Sequence, residues 1–547
     1  MPKFERFDLN GRAASTRETA RRWRKFRRDV RRVTSSPAAR VFLPLLGEDT
    51  RRRRLVEHLR PATARIAPPA PRDAAVFPLN YIASSPEFTL TREEVAEYVE
   101  LVELDSSETD ELVEKFGRAL ASTKEWVLVV HRDAGEFAHY AAAATLLSHH
   151  ERADVVFGDE TGDSVALPIL KPPVVGPHTL WSYNVLGRPA LLRRSTVIRS
   201  GGLRAEAGRA AEHDLFLRLA EDRAVFRHVP VVLAGRSLEE RHHPDLAPDT
   251  QRVVAQALER RGITALVAPT SRPSVVRWSP IVESWPSVDI VIPTRDRLDL
   301  LAQCIASVET SSYPHFAITI LDNGSVEPGT REYLARTPHR VVGCPGPFNY
   351  AALINRGVAH CRGDYVLTLN NDTTVRSVDW LEQLVGVASL DDVSVVGATL
   401  LDRGDVHEHD GIVIAPYPQH LRLGVNYLRE DESLLARRDV SAVTGAAQLF
   451  SRRLFLELGG MDERLAVVMN DVDLCLRSQE QALHVVMVPD VVLTHFAGST
   501  RGRLDPIEDR DRFVRRWDVF GTLRDPYLSE SLRLLGATFH YRSTVPD

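Results

Sequence analysis

The sequence predicts an α/β fold on mostly parallel sheets, and three observations carry that expectation. Short apolar, β-branched runs such as Val288–Pro293, Phe316–Leu321 and Tyr365–Leu369 are long enough for buried strands and too short for helices. Helical periodicity follows them, as in Leu298, Leu301, Ile305 and Val308. Two of these runs end in oxygen-rich clusters, Asp322-Asn323-Gly324-Ser325 and Asn370-Asn371-Asp372, where open α/β sheets place ligands. Each cluster is also a plausible turn on its own.

With 547 residues, the chain exceeds what one core supports, so two or more domains are expected. Its 44% hydrophobic and 26% charged residues are those of ordinary soluble globular protein. Cys304, Cys344, Cys361 and Cys475 show no Cys-x-x-Cys spacing, which suits reduced thiols in a cytoplasmic protein. No apolar run approaches the roughly 18 residues that span a bilayer, and no secretory segment opens the sequence.

Residues 1–70 form a basic, partly helical N-terminal extension; residues 1–66 alone carry about +12 against −5 for the whole chain. Ser15 and Glu18 make a capping box, after which Ala20, Trp23, Phe26, Val30 and Val33 recur at helical spacing among arginines. Such a helix either lies peripherally on the anionic inner face of the cell membrane or docks its stripe on the protein. Arg51–Arg54 adds a second basic cluster, and with no recognition module following, nucleic acid is not expected as a partner. The proline-rich stretch from Ala62 to Arg72 reads as a linker.

Residues 71–240 are expected to form a first α/β domain, with strands at Glu125–Val130 and Ala153–Phe157. Arg194–Gly235 then answers Arg453–His495. Gly201-Gly202 matches Gly459-Gly460, Glu212-His213-Asp214 with Arg218 matches Asp471-Val472-Asp473 with Arg477, and Val229-Pro230 matches Val488-Pro489. His131-Arg132-Asp133 stands where Asn370-Asn371-Asp372 does. The first copy has Gly235 in place of His495, and no counterpart of the strand beginning at Val288 is recognisable, so it reads as disabled. Residues 241–285 are a linker with a helix near Thr250–Arg261 and an extended segment. Residues 286–505 are the second domain and 506–547 a helical tail.

The second domain resembles the family 2 nucleotide-sugar glycosyltransferases, which have the GT-A fold. The resemblance rests on Val291–Asp296, Leu321–Ser325, Phe348–Tyr350 with Asn355–Gly357, Leu369–Asp372, Val443–Ala446 and Asn470–Arg477, in the family's order over about 220 residues. The first domain is similar to the partial GT-A domain that precedes the active one in some bacterial members acting on surface polysaccharides. Two GT-A-like domains in tandem are therefore expected.

The resemblance implies a divalent metal, Mn or Mg, held by Asp372 and His495, with Asn370 and Asn371 departing from the family's second carboxylate. Pro293, Thr294, Arg295, Asp322, Asn323, Asn355 and Asn371 would bind the nucleotide-sugar donor. Asp471 matches the catalytic base, with Asn470 where glutamate is usual. Asp473 reads as an ion-pair partner of Arg477 at i, i+4, with the base role as its alternative. Thr444, Gly445 and His409 would support the donor or acceptor side. In His407-Glu408-His409, strand alternation puts both histidines on one face, and no metal is assigned there. Lys171-Pro172 and Trp181–Gly187 are expected to pack.

The function implied is inverting sugar transfer to a hydroxyl of a glycan or lipid-linked glycan, in cell-surface polysaccharide biosynthesis. A non-catalytic glycan-binding or scaffolding protein and a nucleotidyltransferase are the alternatives. The latter usually carries a Gly- and Lys/Arg-rich loop after its first strand, where this chain has Pro293–Asp296.

Overall fold

The computed structural model describes residues 90–104, 109–131, 136–161, 168–169, 171–235, 243–414, 418–421, 432–496, 506–519, 522–529, 532–535 and 538–541. The Ser15–Val33 helix, the Arg51–Arg54 cluster, the Ala62–Arg72 linker, Arg132 and Asp133 lie outside the described residues. No helix among the described residues is long and apolar enough to cross a membrane.

The first sheet holds β1 (Val99–Leu104), β2 (Trp126–His131), β3 (Val155–Thr161), β4 (Pro168–Ile169), β5 (Ala190–Arg193) and β6 (Phe226–Gly235), in the order β1-β2-β5-β3-β4 with β6 on β3. Its β2 is apolar on both faces and Trp126–Val130 are wholly buried, as a central strand requires. Helices α1 (Pro177–Leu180) and α2 (Ala211–Glu221) belong to this unit.

Residues 241–285 do more than connect. They form helix α3 (Leu246–Arg260) and a hairpin of β7 (Ala265–Pro269) and β8 (Val276–Pro280), rather than a simple extended segment. Val253, Val254, Val276 and Trp278 are fully buried. One hydrophobic cluster runs through this wedge from Val127, Phe157 and Phe216 to Ile290, Leu369 and Leu493.

The second sheet contains β9 (Val288–Thr294), β10 (Phe316–Asp322), β11 (Arg340–Gly343), β12 (Tyr365–Leu369), β13 (Thr373–Val375), β14 (Val393–Leu401), β15 (His407–His409), β18 (Arg438–Asp439), β19 (Ala447–Ser451) and β20 (His484–His495); β16 (Ile412–Ile414) and β17 (Pro418–His420) pair separately. Its main order is β11-β10-β9-β12-β19-β14-β20-β13. The β9–β12 half is parallel, but β19 runs antiparallel to both β12 and β14. The mostly parallel sheet expected from the sequence thus has an antiparallel strand within it. Helices α4 (Leu298–Val308), α5 (Tyr350–His360), α6 (Trp380–Ala388) and α7 (Asn470–Gln479) belong to it. Residues 506–547 are not purely helical. Helix α8 (Ile507–Trp517) buries Phe513, and β21 (Leu532–Leu535) and β22 (Thr538–Tyr541) then form a hairpin.

The two sheets share a pairing scheme, β1-β2-β5-β3-β6 in one and β9-β12-β19-β14-β20 in the other. Strand β1 lies parallel to β2 as β9 does to β12, so β1 takes the place for which the sequence offered no counterpart. Both last strands shift register just after Val229 and Val488, where Pro230 and Pro489 cannot donate to the ladder. By that register Gly235 faces Thr161 as Thr494 faces Leu401. The position equivalent to His495 therefore falls one residue beyond Gly235, at Arg236, outside the described residues.

A shared bracket closes both helices. Arg218 bonds Asp214 and the carbonyls of Ser200 and Gly202; Arg477 bonds Asp473 (2.8 Å) and the carbonyls of Leu458 and Gly460 (2.7 Å each). Gly202 and Gly460 sit at φ 66° and 75°, which side chains with a Cβ rarely adopt.

Candidate active site

The loops after β9 and β10 are tied together at the sheet's carboxyl edge. Asp296 Oδ1 accepts from the amides of Val326 (2.7 Å) and Glu327 (2.8 Å), and the Asn323 amide donates to the Thr294 carbonyl (2.9 Å). Asp322 is half-buried and accepts from the Ser325 amide and hydroxyl, with Gly324 left-handed at φ 78°. The turn reading and the edge position thus hold together. Pro293 is half-buried and Arg295 exposed beside them. Asn323 turns inward and donates to the Cys344 carbonyl at 2.8 Å, so its amide pins the loop.

Strand β12 delivers the next group. Asn371 is buried and donates to Thr294 Oγ1 at 3.0 Å, joining two residues expected on the donor side. Asp372 is also buried, and its Oδ1 faces His495 Nε2 at 3.5 Å, long for a hydrogen bond. His495 Nδ1 lies 2.9 Å from Glu408 Oε2. Burial pushes the His495 imidazole down, but the carboxylates of Asp372 and Glu408 beside it outweigh this and lift it to about 9.

A bulge explains Glu408. Leu400 pairs with His409 and Leu401 with His407, leaving Glu408 as an extra residue. His407 and His409 are therefore opposite adjacent residues of β14 and diverge, contrary to the shared face expected from plain alternation. His407 bonds Asp410 (2.8 Å), whereas His409 Nδ1 meets His420 Nδ1 (2.8 Å) and its Nε2 accepts from the Thr444 amide (3.4 Å). Burial, then the nearby His420 and Arg438, hold His409 well below the usual histidine range. A neutral ring with Nδ1–H toward His420 fits those partners.

Asp471 enters from the first turn of α7, partly exposed. Its Oδ2 accepts from the Gly445 amide and its Oδ1 from the Val472 amide, both at 2.8 Å. Tyr350 and Thr368 hydroxyls both bond the Gly445 carbonyl, and the Asn370 amide bonds the Ala446 carbonyl at 3.0 Å. The 444–446 turn thus touches the Asp471 side, the Asn370–Asp372 loop and His409.

Two expected residues are engaged elsewhere. Asn355 bonds the Met461 amide and carbonyl (2.8 and 2.9 Å) and Glu463 (3.0 Å), bracing the turn after Gly460 instead of facing a donor. Asp473 is wholly buried against Arg477, Trp517 Nε1 and Arg516, which fits the ion-pair reading over the base alternative. Glu408 and His420 were missed by sequence reasoning. The bulge that aims Glu408 has no residue signature, and His420 reaches His409 only through the β16–β17 hairpin.

The corresponding positions of the first sheet are closed on themselves. Glu212, in the place of Asp471, is held by Arg188 through Nε (2.9 and 3.0 Å) and Nη2 (2.7 Å). Lys171 is buried in an ion pair with Glu160 (2.8 Å), so it packs as a structural group.

Residues 289–459 match the family model described as glycosyl transferase family 2. The chain is 30% identical over 440 residues to the O-antigen biosynthesis protein RfbC of Myxococcus xanthus, covering 73% of this chain and 34% of that protein. It is 27% identical over 210 residues to the pre-mycofactocin glycosyltransferase of Mycobacterium tuberculosis, covering 38% and 42%. The chain thus spans less than half the length of these relatives. A solved structure of the mannosyltransferase PcManGT from Pyrobaculum calidifontis with GDP-Man and Mn2+ superposes with a TM-score of 0.32 at 18% identity, covering 44% of this chain and 63% of that one. Between β9 and Gly459, this chain carries a glycosyl transferase family 2 domain.

Proposed function

We propose that the chain is an inverting nucleotide-sugar glycosyltransferase whose second sheet carries the active site and whose first sheet is a degenerate copy. The observation that carries this reading is one run of neighbours at one sheet edge. Asp471 meets Gly445, the adjoining Thr444 meets His409, and the adjoining Glu408 meets His495 and, through it, Asp372.

Asp471 is the base. It takes the proton of an acceptor hydroxyl as that oxygen attacks the anomeric carbon. The bond from that carbon to the donor phosphate breaks, and the nucleoside diphosphate leaves with the electron pair. No second carboxylate is assigned as a nucleophile, so transfer is a single displacement with inversion.

Asp372 and His495 would hold a divalent ion, and their 3.5 Å separation is what two bonds of roughly 2.1 Å span at an open angle. Such an ion supplies positive charge to the departing diphosphate. Asp322 and the tied 294–297 loop face the nucleoside, and Asn371 joins that loop to the metal side. The similarity to an O-antigen biosynthesis protein supports a cell-surface glycan acceptor, free or lipid-linked. The basic N-terminal segment would bring the chain to the inner membrane surface.

The test is nucleoside diphosphate release from UDP-, dTDP- and GDP-sugars, with Mn2+ or Mg2+ and with chelator. Metal-dependent release from one donor class is expected, lost in Asp471→Asn. A chain that neither binds nor cleaves any donor overturns the reading.

A further inference from the structure

A second cluster of ligating groups lies far from that edge, where the two sheets join. His178 comes from α1 of the first unit, Asp439 from β18, and His484 from the start of β20. The Nδ1 atoms of both histidines lie 2.8 Å from Asp439 Oδ1. One ligand atom from each residue falls within 4.8 Å of the others.

The surroundings fix these atoms. Asp439 Oδ2 accepts from the Thr179 amide (3.0 Å) and hydroxyl (3.1 Å), leaving Oδ1 aimed between the rings. His178 Nε2 faces Asp392 Oδ1 at 3.5 Å, the outer carboxylate that commonly sets the tautomer of a metal-binding histidine. His178 and Asp439 are fully buried, while the His484 side chain is 24% exposed. Though it points at Asp439 Oδ1, His484 Nδ1 makes no hydrogen bond of acceptable geometry among the described residues.

We propose that His178 Nδ1, His484 Nδ1 and Asp439 Oδ1 form a structural site for a divalent ion of the Zn2+ class, clamping the first unit to the second. Two imidazoles and one carboxylate suit that ion, with a fourth position for water on the exposed side of His484. Bonds near 2.0–2.1 Å in a tetrahedron would set the donors about 3.3 Å apart, so each histidine need withdraw from Asp439 by only about half an ångström. A ligating imidazole nitrogen must be unprotonated, so any proton held there is released to solvent as the ion binds.

The experiment uses the full chain carrying Asp372→Asn, which removes the other candidate metal site, after stripping with chelator. Zn2+ is titrated calorimetrically, and Co2+ is followed by visible absorption. One equivalent of Zn2+, a tetrahedral Co2+ spectrum and a higher Tm with Zn2+ are expected. His484→Ala, the most exposed ligand, should lower the affinity at least 100-fold with the far-UV circular dichroism unchanged. No uptake by the Asp372→Asn chain, or equal uptake after His484→Ala, overturns the proposal.

Discussion

Asp471 owes its position to backbone groups: the Gly445 and Val472 amides hold its two oxygens. Replacing it by asparagine keeps an acceptor there but removes the base. Transfer should fall by about 10²–10⁴-fold while donor affinity changes little, as measured by initial rates and by calorimetry. Glu408 acts at one remove, through His495. Glu408→Gln should weaken Mn2+ binding by about 10–100-fold, read by calorimetry in the absence of donor. An unchanged affinity would reduce Glu408 to a packing residue. The two residues differ in legibility. Asp372 and Asp471 stood within an ordered set of motifs and His495 at a strand end, so all three were legible as candidates. Glu408 reaches His495 because it is the extra residue of β15, and a bulge follows from pairing that only the folded sheet displays.

Helix α5 lies against β9 and β10 through Gly357, where a Cβ would come within 2.8 Å of Val291 Cγ1 and 2.9 Å of Leu321 Cδ1. Gly357→Ala should cost about 1–3 kcal/mol from overpacking, offset by up to about 1 kcal/mol of helix propensity. Urea unfolding should therefore show a lower midpoint with an unchanged slope. The same glycine belonged to a motif read as donor-binding, and its neighbour Asn355 braces the Met461 turn. Apolar runs and periodicity made the existence of strands and helices plain, with α4 running from Leu298 to Val308 as its spacing implied. Direction was not legible. Strand β19 has the same apolar character as its neighbours yet runs opposite to them, because connection geometry, not composition, sets strand direction.

Across the whole molecule, stability depends on a buried histidine that does no chemistry. His213 Nε2 bonds the Leu180 carbonyl at 2.7 Å, and burial pushes its imidazole down to about 4. The unfolded chain binds that proton near 6.5. Stability should therefore be retained above about pH 6.5 and lost as pH falls toward 4, by up to about 3 kcal/mol. His213→Gln, which can still donate to Leu180, should flatten that part of the pH–stability curve. The shared hydrophobic cluster means that this loss would not stay in the first unit, since Trp278 and Val254 lie in the same core as Ile290 and Leu493. Truncating Trp278 to alanine should accordingly cost about 3–5 kcal/mol and lower the melting point of the entire chain in one transition. That continuity also governs how such a molecule can diverge. On the proposed reading, with Glu212 locked to Arg188, the first sheet would be released from the demands of substrate, yet its side chains still share one core with the second sheet. A position there can change its chemistry freely and its volume hardly at all.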